Sequence, residues 1–218
     1  MAENRKSYGE GCIAAHALDL IGDRWSLLVV RELMLGPKRF GAIKARLPGI
    51  ATNMLARRLE DLAAGGIVAR ADAAGASGYA LTAQGDAVWP VVRELCRWGA
   101  GMAGHDPRLP ISPTALMLSM RATIRPAGRF TAGFDMDGES FALTADASGL
   151  HIRRADAAVG EMSFAGQPND MASAIYGPVP LAQVAATGRV RFTGDLARGQ
   201  GFVDLFRLRR PVPAGEDA

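Results

Sequence analysis

The feature of this sequence that most limits its fold is a basic stretch between Gly36 and Arg58. It contains six basic residues and no acidic one, although the whole chain has a net charge of only +3. The six are Lys38, Arg39, Lys44, Arg46, Arg57 and Arg58. A local excess of one charge sign predicts a surface that faces an anion. The apolar residues of the same stretch indicate how that surface is presented.

Two short helices are predicted here. Phe40, Ile43 and Leu47 recur at i, i+3 and i+7, the spacing of one helix face, and Pro48-Gly49 ends that helix. A second helix follows, with Thr52 as its expected N-cap and Gly65-Gly66 as its end. Its buried stripe is expected to consist of Leu55, Leu59 and Leu62. Two helices around a Pro-Gly turn indicate a helix-turn-helix.

The second helix carries the best candidates for reading DNA bases. Asn53 and Arg57 fall opposite the leucine stripe, and these side chains can pair with adenine and guanine edges in a major groove. The alternative is an ordinary solvated helix face. Other basic residues of the stretch are expected to touch phosphate, which fixes register without reading sequence. The predicted DNA-binding set is Lys38, Arg39, Lys44, Arg46, Thr52, Asn53, Arg57 and Arg70. For Arg58, an ion pair with an acid such as Asp61 and a contact with DNA are both open.

Elements on both sides complete a small domain. A helix is expected to end at Gly22, Asp23 to cap the next one, and Ile67–Arg70 and Tyr79–Thr82 to form a β-hairpin. Thr82 is expected to cap a helix that reaches Trp98, with a kink at Pro90.

The order and spacing of these segments resemble a known family across residues 10–101. The runs GDRWSLLVVRELMLGPKRF, GIATNMLARRLEDLAAGGIVAR and YALTAQG are similar to those of HxlR-family winged helix-turn-helix regulators. The resemblance implies a DNA-binding homodimer paired through the first and last helices of the domain. Cys12 matches the position at which some members carry a thiol that senses oxidants or electrophiles; the alternative is a small buried residue. The wing, ADAAGASGY, departs from the family because Arg70 is its only base, so a weaker grip on phosphate is expected.

Beyond residue 101 the pattern changes. Residues 102–113 contain three prolines and are predicted to be a linker. Alternating apolar residues then predict a hairpin around Asp137-Gly138, further strands and several helices. This order, with GRVRFTGDLARGQGFVDLF near its end, resembles a sterol carrier protein type-2-like domain, which implies an apolar pocket. The candidate pocket residues are Met120, Phe130, Phe134, Phe141, Met162 and Phe164, for which an ordinary core is the alternative.

Composition and motifs exclude several other classes. No run of about 18 apolar residues and no apolar leader is present, so we expect a cytoplasmic protein without a membrane partner. Two cysteines and three histidines without ligand spacing predict no metal site, and we expect no cofactor. No nucleophile motif such as GxSxG occurs, so we do not expect an enzyme.

Residues 1–104 carry 13 Lys and Arg against 10 Asp and Glu, whereas residues 105–218 carry 12 of each. A basic half joined to a neutral half suits a DNA-binding domain joined to a domain with another role.

Together these features predict an α+β protein of two domains. Residues 9–101 form the winged helix-turn-helix, 102–113 the linker, and 114–211 a domain with a mainly antiparallel sheet packed on helices. The expected function is a dimeric regulator that binds a pseudo-palindromic double-stranded DNA operator, controlled by a small apolar effector. Two alternatives are open: a lipid or small-molecule carrier that uses the helix-turn-helix only to dimerise, and a regulator whose second domain only strengthens the dimer.

Overall fold

The computed structural model describes residues 7–125, 128–206 and 208. Packing divides the chain into two units, Met1–Val92 and Arg93–Ala218, which we call the N-terminal unit and the C-terminal unit. The predicted domain boundaries stay predictions, and residues 207 and 209–211 of the range 114–211 lie outside the described residues.

The N-terminal unit is built from short helices and one hairpin. Its described residues form α1 (Ile13–Ile21), α2 (Ser26–Leu33), α3 (Phe40–Arg46), α4 (Thr52–Ala64), β1 (Val68–Asp72), β2 (Ser77–Leu81) and α5 (Ala83–Asp86), and α6 (Trp89–Gly99) begins in this unit. The antiparallel β1–β2 pair places Arg70 opposite Tyr79. This is the predicted helix-turn-helix followed by a wing.

The helix-turn-helix forms because its apolar residues converge. Ile43 of α3 and Leu55, Leu59 and Leu62 of α4 are all at most 1% exposed. The turn between the helices includes Gly49, whose φ of +86° lies in the left-handed region that favours glycine. The spacing of these residues therefore predicted both helices and their buried faces.

Two predicted helix caps and one predicted kink are wrong. Thr52 is the first residue of α4 rather than its cap, and Ala51 at the cap position contributes no side-chain hydrogen bond. Asp23 does not cap α2, which begins after Trp25 in a left-handed backbone conformation. Pro90 does not kink a long helix, because the chain breaks between α5 and α6 and Pro90 is the second residue of α6, where a missing N–H costs little. The Thr82 cap is confirmed, since its hydroxyl accepts a hydrogen bond from Gly85 N at 3.1 Å.

The C-terminal unit is a mixed sheet with helices. After α6, its described residues form α7 (Pro113–Thr123), β3 (Phe130–Met136), β4 (Glu139–Asp146), β5 (Gly149–Ala155), β6 (Met162–Gly166), α8 (Pro168–Tyr176), α9 (Leu181–Ala186), β7 (Val190–Thr193) and α10 (Leu196–Val203). The strand order is β5-β4-β3-β6-β7. The β3–β6 pair is parallel and the other pairs are antiparallel, so the prediction of a mainly antiparallel sheet with helices is confirmed.

Polar contacts fasten α8 to the rest of this unit. Tyr176 shares hydrogen bonds with Ser119 at 2.9 Å and Thr123 at 3.1 Å, and burial raises the pKa of Tyr176 to about 12. Asn169 accepts a hydrogen bond from Ile111 N at 3.2 Å and donates to Leu109 O at 2.9 Å. The segment predicted to be a linker is therefore held to the start of α8.

Candidate nucleic-acid interface

One face of α4 presents the predicted base-reading residues to solvent. Asn53 and Arg57 are exposed and lie one helical turn apart, while the leucines of the opposite face are buried. The Asn53 side chain accepts a hydrogen bond from Met54 N at 2.8 Å, which orients its amide at the start of the helix. Thr52 is exposed beside it. The structure thus brings three of the predicted residues together on one exposed surface.

Arg58, next to Arg57, has a structural role. It is 6% exposed and forms ion pairs with Asp23 and with Asp61, the latter at 3.2 Å. The pair with Asp23 joins α4 to the segment before α2, 35 residues earlier in the chain. The two interpretations left open by the sequence are therefore decided in favour of an ion pair inside the domain.

Lys38 is not a phosphate contact, which corrects the prediction. Its side chain is 3% exposed, and Nζ lies 2.8 Å from Oε2 of Glu32, whose side chain is completely buried. Glu32 is also paired with Arg31 at 2.9 Å. A lysine this far from water is stable only with a carboxylate partner, so Lys38 faces the interior. The backbone of Lys38 meanwhile exchanges hydrogen bonds of 3.0 and 2.9 Å with Tyr79 of β2.

Arg39 connects the start of α3 to the tip of the wing. Its Nε donates to the carbonyl oxygen of Ala73 at 3.0 Å, and Nη2 donates to that of Ala74 at 2.6 Å. The residue is otherwise exposed. Arg39 therefore sets the position of the wing loop relative to α3, a role that the sequence did not indicate.

The remaining predicted phosphate contacts are at the surface. Lys44 and Arg46 occupy the last turn of α3 and are half-buried. Arg70 is exposed on β1, where its guanidinium lies 4.3 Å from the centre of the Tyr79 ring. That stacking holds the only base of the wing in a defined position.

Two acidic residues that hold this surface together through ion pairs were not predicted from the sequence. Glu32 lies on a helix whose Val29, Val30 and Leu33 are buried, and an acid among such residues is a sign of a buried partner. Asp23 carried no comparable signal, because its partner Arg58 is distant in the sequence.

Cys12 occupies the N-cap position of α1 and is exposed. The nearby backbone N–H groups of Ala15 and Ala14 lower the pKa of its thiol. It is thus not the small buried residue that was the alternative. Cys96 is half-buried in α6.

The six predicted pocket residues of the C-terminal unit belong to a packed core. Met120, Phe134, Phe141, Met162 and Phe164 are at most 2% exposed, and Phe130 is half-buried. Phe134 and Phe164 stack with ring centres 4.8 Å apart, and Phe202 of α10 lies 6.3 and 5.9 Å from them. Aromatic contacts occupy the space that a ligand would need, so the structure supports the alternative of an ordinary core.

The described residues contain neither a metal-binding cluster nor a membrane-spanning helix. Among the described residues no group of three or more His, Cys, Asp or Glu side chains is arranged to hold a metal ion. In the same part of the chain, no helix has the length and apolar character needed to cross a bilayer.

Comparison with known proteins identifies the N-terminal region. The HxlR-like helix-turn-helix family model matches residues 20–107. The HTH-type transcriptional regulator YkvN of Bacillus subtilis is 37% identical over 91 residues, which are 40% of this chain and 77% of YkvN. YodB of Bacillus subtilis, also an HTH-type transcriptional regulator, is 39% identical over 85 residues, which are 38% of this chain and 76% of YodB. The crystal structure of quinone-bound YodB is 38% identical, covers 39% of this chain and 93% of its own, and has a TM-score of 0.36.

These relatives are transcriptional regulators, a class distinct from enzymes. The family match ends at residue 107. The chain covers about three quarters of YkvN and YodB at more than 35% identity, and it belongs to the HxlR-like helix-turn-helix family.

Proposed function

We propose that the protein is a dimeric transcriptional regulator that reads DNA sequence through α4. The observation that carries the proposal is the division of α4 into a face fixed by leucines and Arg58, and an exposed face with Asn53 and Arg57. A helix held rigidly by one face and polar on the other can enter a major groove with defined side-chain positions. A module that served only for dimerisation would have no need of this exposed pair.

Phosphate contacts are proposed for the residues that flank this face. Lys44 and Arg46 at the end of α3, and Arg70 on the wing, would touch the DNA backbone. Arg39 contributes by holding the wing loop and by the exposed part of its side chain. Thr52 is proposed as a further polar contact at the start of α4.

Dimerisation is proposed through α1 and α6. Both helices expose large apolar side chains, and burying them in a dimer interface would be favourable. They are Ile13 (87% exposed), Leu18, Val91, Leu95 and Trp98 (65% exposed). A two-fold axis would place two α4 helices about 34 Å apart, which matches a pseudo-palindromic operator. Sedimentation equilibrium of the full chain should give twice its mass of 23.0 kDa; a monomer at concentrations that bind DNA would contradict this arrangement.

The direct test is selection of DNA sites from a random pool by the full-length protein, followed by titration of the enriched and a scrambled site across a salt series. We expect tight binding to the enriched site, and we expect Arg57→Ala to lose about 1–3 kcal/mol of discrimination. Arg191→Ala, an exposed arginine of the C-terminal unit, is the control with the same charge change. Equal and steeply salt-dependent binding to both DNAs would mean phosphate contact only and would overturn sequence reading.

A thiol response is proposed for Cys12. Solvent access and a lowered pKa are the two conditions for thiolate chemistry, and this residue meets both. Because its pKa is lowered, more thiolate is present near neutral pH, so iodoacetamide should react faster with Cys12 than with Cys96. Mass spectrometry of timed samples measures both rates, and equal or reversed rates would exclude the proposal.

The C-terminal unit is proposed to adjust the regulator rather than to catalyse. The sterol carrier-like resemblance is supported by a mainly antiparallel sheet with helices, all of which lie beyond residue 107, where the family match ends. A ligand of this unit would act only through a difference in affinity between DNA-binding and non-binding forms. Deletion of residues 110–218 should abolish any effector response; if it weakens only dimerisation, the unit has the strengthening role.

A further inference from the structure

The outer face of the five-stranded sheet, opposite the aromatic core, carries an ordered pattern of side chains. Strand register places Thr131, Thr144 and His151 side by side across β3, β4 and β5. The adjacent row, two residues along the strands, consists of Gly133, Ala142 and Arg153. Because neighbouring strands lie about 4.8 Å apart, each row spans roughly 10 Å. The second row combines two very small residues with one long cation, which produces a depression bordered by Arg153.

A loop forms one wall of this depression. A Cβ at Gly133 would lie 2.3 Å from the carbonyl carbon of Ala158, and one at Gly160 would lie 2.8 Å from Cα of Ala132. At both glycines the backbone of the loop therefore packs directly against the backbone of β3, which only glycine permits. The loop is held on the sheet by these contacts, and Val159 lies in it with 52% of its surface exposed.

The result is a cleft of about 360 Å³ whose lining includes Thr131, Ala142, Thr144, His151, Arg153 and Val159. None of the six core residues first predicted to bind a ligand contributes to it. A cleft of this size is in the range of small-molecule sites. It is built entirely from residues of the C-terminal unit.

The lining has the chemistry of an anion site. It contains one permanent cation, Arg153, and no carboxylate side chain. Within the described ranges Arg153 is exposed and its guanidinium forms no hydrogen bond or ion pair, and the Thr144 hydroxyl has no partner there either. His151 is oriented by a 2.8 Å hydrogen bond between Nε2 and the hydroxyl of Ser148. The nearby Asp146 is engaged by hydrogen bonds from the N–H and the hydroxyl of Ser148, at 2.8 and 2.6 Å.

We propose that this cleft binds a small organic monocarboxylate. One guanidinium presents two parallel N–H donors that match the two oxygens of a carboxylate, and a neighbouring hydroxyl can donate a third hydrogen bond. A carboxylate has two oxygens for these donors, whereas a phosphate dianion would leave further oxygens without a donor in this cleft. Ala142 and the exposed Val159 provide apolar surface for the rest of the molecule. This inference goes beyond the proposed DNA-binding function, and it is tested without DNA.

The test is isothermal titration of the full chain with butyrate, benzoate and phenylacetate, and with benzamide and inorganic phosphate as reference probes. We expect at least one carboxylate to bind about tenfold more tightly than benzamide and phosphate, the effect of one charge-assisted hydrogen-bonded pair. Arg153→Gln should lose this tenfold preference, whereas Arg191→Gln, at another exposed arginine of the same sheet, should keep it.

The location is checked by amide chemical shifts of the labelled full chain, which should move at Thr144, His151 and Val159. Thr144→Val, which keeps the shape of the side chain and removes its hydroxyl, should weaken binding while the spectrum of the free protein changes only at and next to position 144. Absence of binding by all three carboxylates would overturn the proposal, as would phosphate binding as tightly as they do. Equal losses in Arg153→Gln and Arg191→Gln would also overturn it, because they would show general charge attraction.

Discussion

The inner and outer sides of the helix-turn-helix use the same residue types for opposite purposes. Lys38 and Arg58 are turned inward, paired with Glu32 in one case and with Asp23 and Asp61 in the other. Arg57, adjacent to Arg58, is turned outward. The number of basic residues in this stretch of sequence is therefore larger than the number whose charge is accessible to DNA. The inward-facing cations fix the positions of α4 and the wing, and the outward-facing ones remain accessible to DNA.

The largest effect is expected where the inward pair is most buried. Lys38→Met removes a cation from the completely buried Glu32 while its pair with Arg31 stays, and breaking such a buried pair costs about 3 kcal/mol or more. Denaturant unfolding of the full chain, followed by tryptophan fluorescence, measures the loss. Lys44→Met, on the outer side, should stay within about 0.5 kcal/mol of wild type.

The double change Lys38→Met with Glu32→Met sharpens this result. Apolar residues of similar size can replace a buried ion pair at little cost, so we expect the double variant to recover most of the lost stability. Equal losses in Lys38→Met and Lys44→Met would show that the inward pair does not stabilise the unit.

A smaller effect on stability is expected at Arg58. Its partners Asp23 and Asp61 remain 59% and 40% exposed, so each stays hydrated when the arginine is removed. Arg58→Ala should therefore cost about 2 kcal/mol, mainly from lost packing of the buried stem and lost hydrogen bonds. Arg57→Ala should leave the unfolding midpoint unchanged while reducing DNA discrimination. If both variants lose the same stability, the contrast between the two neighbours is wrong.

These two arginines show how far the sequence could be interpreted. The spacing of Leu55, Leu59 and Leu62 predicted α4 and its exposed face, because helix periodicity is a local property. The partner of Arg58 could not be predicted, because Asp23 approaches it only after α2 and α4 have packed. For the same reason Lys38 was assigned to phosphate, although Glu32 on the preceding helix holds it.

In the sheet of the C-terminal unit, too, local patterns could be predicted from the sequence, whereas contacts between distant segments could not. Alternation predicted β3 and β4 and the turn at Asp137-Gly138, and register then placed Phe134 and Phe141 together in the core. The outer cleft depends on the crossing of Gly160 over β3, and a loop of this kind has no periodic signal. Apolar residues were predicted to line a pocket because a core and a pocket have the same composition.

The smallest effect is expected from a single outward lysine. Lys44 lies in the last turn of α3 and is half-buried, without a described partner that would be disrupted. If it touches phosphate, Lys44→Ala should weaken binding to the selected and the scrambled DNA by the same factor, and should reduce the slope of log affinity against log salt by about 1. Arg57→Ala should instead weaken the selected site more than the scrambled one. A change in sequence preference in Lys44→Ala, or no change in its salt slope, would mean that α3 does not contact the DNA backbone there. The DNA contacts of the N-terminal unit would then be restricted to α4 and the wing.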